Sequence, residues 1–377
     1  MKKAIIIRKR VPEITKRKNH KIGGVGNYYR AISKHLPDDI GLFYFYNNRR
    51  NQNLLLAYFY LLASYIRVFV NIASKKTNLY MLNTSLDKLS VFRDGLTILF
   101  LKIFQKKYIV FFRGWHPSGE ERIKKYKPLN YLFKHTFLRA DHLIVLSSEF
   151  KTKLIDWGYT NPVSIETTAV NESLLLDYSP GMVKEKEPNS SKYKFLYLGN
   201  IIKSKGLFDL LEAIKILKNK GISGFEMIIG GEGKHLEDLK FIVEKEALPV
   251  TFLGYIKGEQ KTRLLSSADF YVFPSHHEGM PNAVLEAIAF GIPVLTTRVG
   301  GIPDFFEEEK MGFYIKMKSP ENIADKIEYV LSKPDLRKRI GSYNFNYAKE
   351  NFYASVVAKR LSSIIYSVYD SIEPNNP

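Results

Sequence analysis

The stretch from Ala268 to Asp304 constrains the fold of this chain most strongly, because signals for a strand, a loop, a helix and a second strand follow one another within it. The apolar run Phe270 to Phe273 precedes a short polar loop, as expected for a strand buried on both faces of a sheet. Pro281 suits the first position of a helix, and Gly291 fits just past its last turn. Ile292 to Thr296 is predicted to be the next buried strand. The stretch therefore indicates a parallel α/β sheet.

Two carboxylates lie beyond the first of these strands, Glu278 in the loop and Glu286 within the predicted helix. Ligands of parallel sheets bind beyond the carboxyl ends of the strands, and a helix N-terminus there attracts anions. Every other residue from Ala283 to Phe290 is apolar, so a carboxylate at position 286 needs partners, which sugar hydroxyls could supply. The pattern fits equally well a Lys or Arg partner from the core for Glu286 and a solvated loop position for Glu278.

Length and composition limit the classes of protein to which the chain can belong. Its 377 residues suffice for two domains, and 45% hydrophobic with 25% charged residues is typical of a globular protein. No cysteine occurs, which excludes disulfides and thiolate chemistry. Only four apolar residues separate Lys3 from Arg8, so no signal peptide is predicted and we expect a cytoplasmic protein.

The net charge of +19 is concentrated in the first half of the chain. Residues 1–180 contain 30 Lys and Arg against 13 Asp and Glu, a net +17, whereas residues 181–377 contain 27 against 25, a net +2. Such a surface attracts nucleic acid, anionic lipid headgroups or a phosphorylated substrate, and charge alone does not choose among them.

The pattern of strands and helices predicts two α/β domains. In the first half, strands are expected at Lys3 to Arg8, Leu42 to Tyr46, Leu79 to Leu82, Tyr108 to Phe112 and His142 to Leu146, with helices between them. Tyr178 to Tyr193, which contains two Pro, a Gly and a pair of adjacent Ser, is predicted to be a linker. We expect domains at residues 1–180 and 190–352, with a C-terminal helix at about 353–377 that packs back on the first domain.

Leu54 to Ala73 is the most apolar stretch of the chain. Its ~20 residues would be long enough to cross a bilayer, but Arg67 and Asn71 interrupt it. Two interpretations remain: a helix packed in the domain core, or a helix lying on an anionic membrane surface with its tyrosines at the interface.

Several loops that follow predicted strands carry candidate ligand groups. In the first half, Gly23 and Gly24 open a helix and could approach a phosphate or form a plain flexible turn, and Arg113 and His116 follow the strand from Tyr108. In the second half, Lys205 could neutralise a diphosphate without a metal or be a solvated loop lysine. The glycine cluster at 230–233 could admit a base or ribose close to the backbone. The eight histidines show no metal-ligand spacing, so no metal site is expected.

With these motifs the chain resembles the retaining glycosyltransferases of family four. The resemblance rests on the E-x7-E element from Glu278 to Glu286 in its Pro-Ser and Ile-Pro-Val setting, on Gly300-Gly301, on Ser204-Lys205-Gly206 and on the glycine cluster. It implies the GT-B fold, an α/β architecture of two Rossmann-like domains that face each other across a cleft. The second domain would bind a nucleoside diphosphate sugar and the first domain the acceptor.

The resemblance also implies roles for individual residues. Glu278, Lys205 and His116 would act at the transferred sugar and the diphosphate, with Glu278 on sugar hydroxyls and Lys205 on the phosphates. Glu286 would hold the ribose. The remaining donor-binding positions would be Gly23, Gly24, Arg113, Asn200, Gly231, Glu232, Gly233 and the backbone around Gly279, Met280, Pro281 and Asn282. Asn200 stands where the family commonly has Arg, and Arg113 could replace that cation.

The predicted activity is transfer of a hexose, with retention, from a nucleoside diphosphate sugar to an acceptor hydroxyl, without a metal or other cofactor. A lipid-linked, lipopolysaccharide, capsule or exopolysaccharide intermediate is the expected acceptor, and the inner face of the plasma membrane is the expected peripheral location. A nucleotide-sugar epimerase on the same fold and a non-enzymatic polyanion-binding protein are the alternatives. No recognised nucleic-acid module occurs, so nucleic acid is not an expected partner.

Overall fold

A computed structural model of the chain describes residues 4–9, 24–45, 54–74, 77–175, 192–333 and 335–371. Its contacts divide the chain into two units. The first unit comprises Met1–Thr167 and Val357–Pro377, and the second comprises Thr168–Val356. The division thus falls at residue 168, before the predicted linker, of which residues 178–191 lie outside the described residues.

The first unit contains a six-stranded parallel sheet in the order β2-β1-β3-β4-β5-β6. Its strands are β1 (Ala4–Lys9), β2 (Ile40–Phe45), β3 (Leu79–Leu86), β4 (Lys107–Trp115), β5 (His142–Val145) and β6 (Val163–Ile165). The five predicted strands are present with shifted ends, and β6 is an addition. That strand has three residues and none is buried, so it lacks the apolar run that marks the others.

Helices connect these strands and cover the sheet. They are α1 (Gly24–Ile32), α2 (Leu54–Ala73), α3 (Lys88–Ile103), α4 (Pro117–Lys125), α5 (Lys127–Thr136) and α6 (Ser148–Asp156). The last helix of the chain, α13 (Ala354–Asp370), belongs to this unit from Val357 onward. Arg360 on α13 donates to the Glu166 carboxylate at 3.0 Å, and Tyr366 donates to Asp39 at 2.7 Å.

The long helix α2 confirms the predicted helix. Its described side chains show that one side packs in the core, whereas the membrane-surface interpretation stays a prediction. Val68 and Ile72 are buried in the core, whereas Leu62, Ile66 and Val70 are exposed. In the described parts of the chain, no helix combines the length and apolar character that a membrane crossing requires. One face of α2 is therefore core and another meets solvent.

The second unit contains a second parallel sheet, in the order β12-β11-β10-β7-β8-β9. Its strands are β7 (Tyr193–Leu198), β8 (Phe225–Gly230), β9 (Val250–Gly254), β10 (Phe270–Phe273), β11 (Val294–Thr296) and β12 (Gly312–Tyr314). Its helices are α7 (Leu207–Asn219), α8 (Leu236–Lys245), α9 (Gly258–Ser267), α10 (Asn282–Ala289), α11 (Pro320–Leu331) and α12 (Leu336–Asn351). The chain runs from β7 outward to β9 and then returns beside β7 with β10. The strand order therefore reverses between the two central strands, β10 and β7.

The stretch used to predict this unit folds as expected, with one correction. All four residues of β10 are buried, and Gly291 follows α10 at φ +65°, a left-handed conformation that glycine adopts without a Cβ clash. Pro281, however, lies at the N-cap of α10 with φ −79° and ψ 108°, one residue before the predicted position. Its extended ψ keeps it out of the first turn.

Candidate functional site

Lys205 and Glu278 lie in loops that follow the neighbouring strands β7 and β10. The carboxyl ends of these strands flank the point where the strand order reverses. Crevices for ligands form at such points, because the loops of the two strands diverge there. The sheet topology thus brings together two side chains that are 73 residues apart.

Lys205 and Glu278 form an ion pair in which the ammonium group donates to Glu278 Oε1. The same oxygen accepts from Ser275 Oγ at 2.7 Å. The side chains of Lys205 and Glu278 are only 17% and 11% exposed, so water screens the pair weakly. An ammonium group and a carboxylate are therefore held side by side. An ammonium group can bind an anion, and a carboxylate can accept hydrogen bonds from hydroxyl groups.

The turn that carries Lys205 is fixed to the loop that carries Glu278. Ser204 O accepts from the backbone N–H of His276 at 2.8 Å. Gly206 has φ +69°, and a Cβ at this position would overlap Pro274 O, so the close approach of the two loops requires glycine. On α7, Asp209 Oδ2 lies 2.6 Å from His276 Nε2. The position of the lysine is thus set by backbone and side-chain contacts together.

The glycine pair after β11 supports the loop of Glu278 from the other side. Gly301 N–H donates to Gly279 O at 2.7 Å. Gly300 has φ +56°, and a Cβ there would collide with the Glu278 and Gly279 carbonyls. These two glycines were recognised as a motif in the sequence, and the structure shows that they hold the Glu278 loop.

Glu286 on α10 has a lysine partner, Lys261 on α9. The Nζ atom lies 2.5 Å from Glu286 Oε2, and the two side chains are 23% and 12% exposed. The angles are not those of a hydrogen bond, so the buried Oε2 has an ionic neighbour but no hydrogen-bond donor. Of the alternatives for Glu286, the charged partner is present, and the carboxylate keeps unused capacity to accept from hydroxyls.

The glycine cluster after β8 packs against the loop after β7. Gly231 has φ +151°, and a Cβ there would overlap Gly199 O; a Cβ on Gly233 would overlap Ile201 O. Ile201 N–H also donates to Glu232 O at 3.0 Å. The side chain of Glu232 is exposed. The glycines thus have a structural reason, the close approach of two backbones, in addition to the ligand contact predicted for them.

Asn200 is exposed, and its carbonyl accepts from the Tyr197 hydroxyl at 3.0 Å. Burial and the nearby Glu278 charge raise the pKa of Tyr197 far above its usual value, so the phenol stays protonated and donates.

Among the backbone positions predicted around the N-terminus of α10, Pro281 has no N–H and cannot donate, while its carbonyl accepts from Val284 N at 3.1 Å. Met280 is buried, and Gly279 and Asn282 are partly exposed.

The candidates of the first unit occupy different environments. Arg113, near the end of β4, is buried, with its guanidinium 3.7 Å from the ring centre of Tyr28 and 4.5 Å from that of Phe111. Its Nε and Nη1 atoms have no hydrogen-bond partner, and burial lowers the pKa of the group. His116 is exposed at the N-cap of α4. Gly24 begins α1, and Gly23 lies outside the described residues.

Lys261, Ser275 and Asp209 complete the site of the second unit and were not predicted. Ser275 belongs to the recognised Pro-Ser motif, so its position beside Glu278 was a usable signal. Lys261 and Asp209 lie on helices that meet α10 and the β10 loop only in the folded unit. Across the part of the chain that the structure describes, no three His, Asp or Glu side chains are arranged to hold a metal ion.

Residues 182–347 match the family model of the glycosyl transferases group 1. That segment is similar to the group 1 glycosyltransferases. It contains every residue of the second-unit site, from Asn200 to Gly301. The match agrees with the resemblance of the motifs and covers 166 of the 377 residues of the chain.

The chain is also similar in sequence to a curated relative and in fold to solved structures. The capsular polysaccharide biosynthesis glycosyltransferase CapM of Staphylococcus aureus is 24% identical over 249 residues, which cover 64% of this chain and 65% of CapM, just under two thirds of that protein. Sucrose-phosphate synthase of Thermosynechococcus elongatus has a TM-score of 0.74 at 16% identity and covers 98% of this chain and 100% of that chain. HepE of Anabaena in complex with UDP and glucose has a TM-score of 0.71 at 16% identity, covering 97% and 100%. These likenesses confirm the predicted GT-B fold.

Proposed function

We propose that the protein transfers a hexose from a nucleoside diphosphate sugar to an acceptor hydroxyl, with retention at the anomeric carbon. The observation that carries this proposal is the pairing of Lys205 with Glu278 at the reversal point of the second sheet. The pair offers one positive group and one acceptor of hydroxyl hydrogen bonds within a few ångströms. A sugar attached to a diphosphate requires both.

In the proposed mechanism the ligand replaces the partners that the two side chains now have. The diphosphate replaces Glu278 as the ion-pair partner of Lys205, and the Glu278 carboxylate then accepts hydrogen bonds from the sugar hydroxyls. As the glycosidic bond breaks, negative charge grows on the leaving diphosphate, and a prepositioned ammonium group stabilises it. The diphosphate then accepts the proton of the incoming hydroxyl. We propose that this charge stabilisation needs no metal ion and that Glu286 holds the ribose hydroxyls.

Two of the comparisons support this donor and a polysaccharide acceptor. HepE was solved with UDP and glucose, and CapM acts in capsular polysaccharide biosynthesis. We further propose an acceptor carried by a membrane lipid, because residues 1–180 have a net charge of +17 and would attract a lipid diphosphate or an anionic headgroup.

The proposal is tested by assaying sugar transfer with Lys205→Ala, Glu278→Ala and the control Lys203→Ala. Lys203 is an exposed lysine in the same 3₁₀ turn as Lys205. Loss of one group that stabilises developing charge lowers kcat by about 10²–10³-fold. We expect that loss for both site variants and near-normal turnover for Lys203→Ala, in the presence of EDTA. Equal rates for all three variants and the parent protein would rule the mechanism out.

The same assay separates the two alternative functions. An epimerase would convert the nucleotide sugar with no acceptor added. A non-enzymatic polyanion-binding protein would bind nucleic acid tightly, lose that binding with added salt and show no affinity for a nucleotide sugar.

A further inference from the structure

Exposed large apolar side chains are concentrated on α2 and α3 of the first unit. Of the 17 such side chains among the described residues, eight lie on these two helices. They are 37–71% exposed: Leu62, Ile66, Phe69, Val70, Leu89, Phe92, Leu99 and Ile103. We call this set the α2–α3 face. Exposed apolar residues scattered singly are ordinary, but a concentration of this kind marks an interaction site.

The helical spacing places these residues on the outer sides of the helices. On α3, Leu89, Phe92, Leu99 and Ile103 recur at intervals of three, seven and four, which keeps them on one side of a helix. Val91, Ile98 and Leu101 of the same helix are buried in the core. The helix therefore has two apolar sides, of which the core uses one.

Aromatic packing joins the two helices into one surface. Phe69 on α2 lies 5.3 Å from Phe100 and 5.5 Å from Phe104 on the α3 side, measured between ring centres, and remains 40% exposed itself. Tyr65 also donates to Arg93 O, at 3.4 Å. The outer stripes of α2 and α3 are thus continuous at Phe69.

The charged residues of the two helices indicate what binds to the α2–α3 face. The two helices contain four basic residues, Arg67, Lys88, Arg93 and Lys102, and one acid, Asp94. Asp94 is buried and hydrogen-bonded to Arg93 at 2.7 Å, so this pair adds no net charge, and the two helices carry four minus one, a net +3. Over residues 54–140, 15 Lys and Arg stand against four Asp and Glu. A second copy of a chain with net charge +19 would be repelled, whereas an anionic bilayer attracts basic residues and accepts apolar ones.

We infer that the α2–α3 face docks on an anionic lipid bilayer, with its apolar side chains entering the interface and the surrounding lysines and arginines meeting the headgroups. Such binding is reversible, because only side chains enter the interface and no helix crosses the bilayer. The inference deepens the proposed function, on which it rests for its purpose, by naming the surface that brings the enzyme to a lipid-borne acceptor.

Vesicle co-sedimentation tests the inference independently of sugar transfer. The probes are vesicles of phosphatidylcholine alone and of phosphatidylcholine with phosphatidylglycerol, and the variants are Phe92→Glu/Ile103→Glu and Ile66→Glu. The control is Phe241→Glu, which changes a similarly exposed phenylalanine on α8 of the second unit. The substituted side chains are mostly exposed, so folding should be preserved, and thermal unfolding checks that point.

We expect the parent protein and Phe241→Glu to bind the anionic vesicles more tightly than the neutral ones, and less tightly as salt is added. The double variant should bind them about tenfold more weakly or worse. Undiminished binding by both face variants would overturn the inference, as would equal binding to both vesicle types. Self-association that disappears in the variants, with no vesicle binding, would assign the face to a second copy instead. Vesicle binding without transfer would leave the inference standing and refute the proposed function.

Discussion

At the scale of single residues, the candidate site of the second unit contains two partly buried lysine–glutamate pairs. Lys205 forms an ion pair with Glu278, and Lys261 forms one with Glu286. The two pairs lie on different helices and loops, but their side chains are buried to a similar degree. A carboxylate buried to this degree is costly without a counter-charge. Each lysine therefore supplies the counter-charge that its partly buried carboxylate needs. We propose that Lys261 acts through Glu286 as a positioning residue.

Replacing Lys261 by Met tests that role. The change leaves Glu286 without its counter-charge, so we expect the free energy of unfolding to fall by about 1–3 kcal/mol, less than for a fully buried pair because water reaches this one. The KM for the donor should rise more than kcat falls, because the ribose contact positions the donor and does not take part in bond breaking. Urea denaturation and steady-state kinetics measure the two effects.

Two further variants complete that test. Lys261→Arg should restore much of the lost stability, because it restores the charge. Lys240→Met, which removes an exposed lysine from its pair with Glu237, should change neither quantity measurably. A response of Lys261→Met no larger than that of Lys240→Met would contradict the positioning role.

Interlocked strand-end loops set the geometry at the scale of secondary-structure elements. The loop after β7 is packed by glycines from the loop after β8 on one side and meets the loop after β10 on the other. The sequence predicted these glycines for ligand approach, because it shows a glycine-rich loop after a strand. It could not show that Gly231 meets Gly199, a residue 32 positions away, since only the folded sheet makes them neighbours.

Gly231→Ala should therefore be far more damaging than an ordinary glycine substitution. Its φ of +151° is accessible only to glycine, and the added Cβ would press on Gly199 O, so we expect a loss of about 3 kcal/mol or more. Gly221→Ala is the control: it also has positive φ, at +75°, but its Cβ would meet no atom within 4 Å, so it should cost about 1 kcal/mol. If both variants lost a similar free energy of unfolding in urea denaturation, the positive φ alone would account for the loss, and the close contact between Gly231 and Gly199 would contribute nothing.

At the scale of the whole molecule, two parallel sheets were predictable because buried parallel strands are continuous apolar runs separated by helical stretches. Two strands of three residues each, β6 and β12, escaped prediction, and β6 has no buried side chain. The contacts divide the chain at Thr168, in an irregular segment without a Pro or Gly signal, and the predicted domain boundary at residue 180 stays a prediction. The Glu278 and Lys205 positions were predictable from motifs, whereas Lys261, the partner of Glu286, and Asp209, the partner of His276, depend on how distant helices pack.

The central claim is that the second unit binds a nucleoside diphosphate sugar through Lys205 without a metal ion. Thermal unfolding in EDTA, with a panel of nucleoside diphosphate sugars added, tests it most directly. At 100 times its dissociation constant, the right donor should stabilise the parent protein and Lys203→Ala by about 2.7 kcal/mol, and Lys205→Ala much less. No stabilisation of the parent protein by any of these sugars, or an equal effect on Lys205→Ala, would contradict the claim.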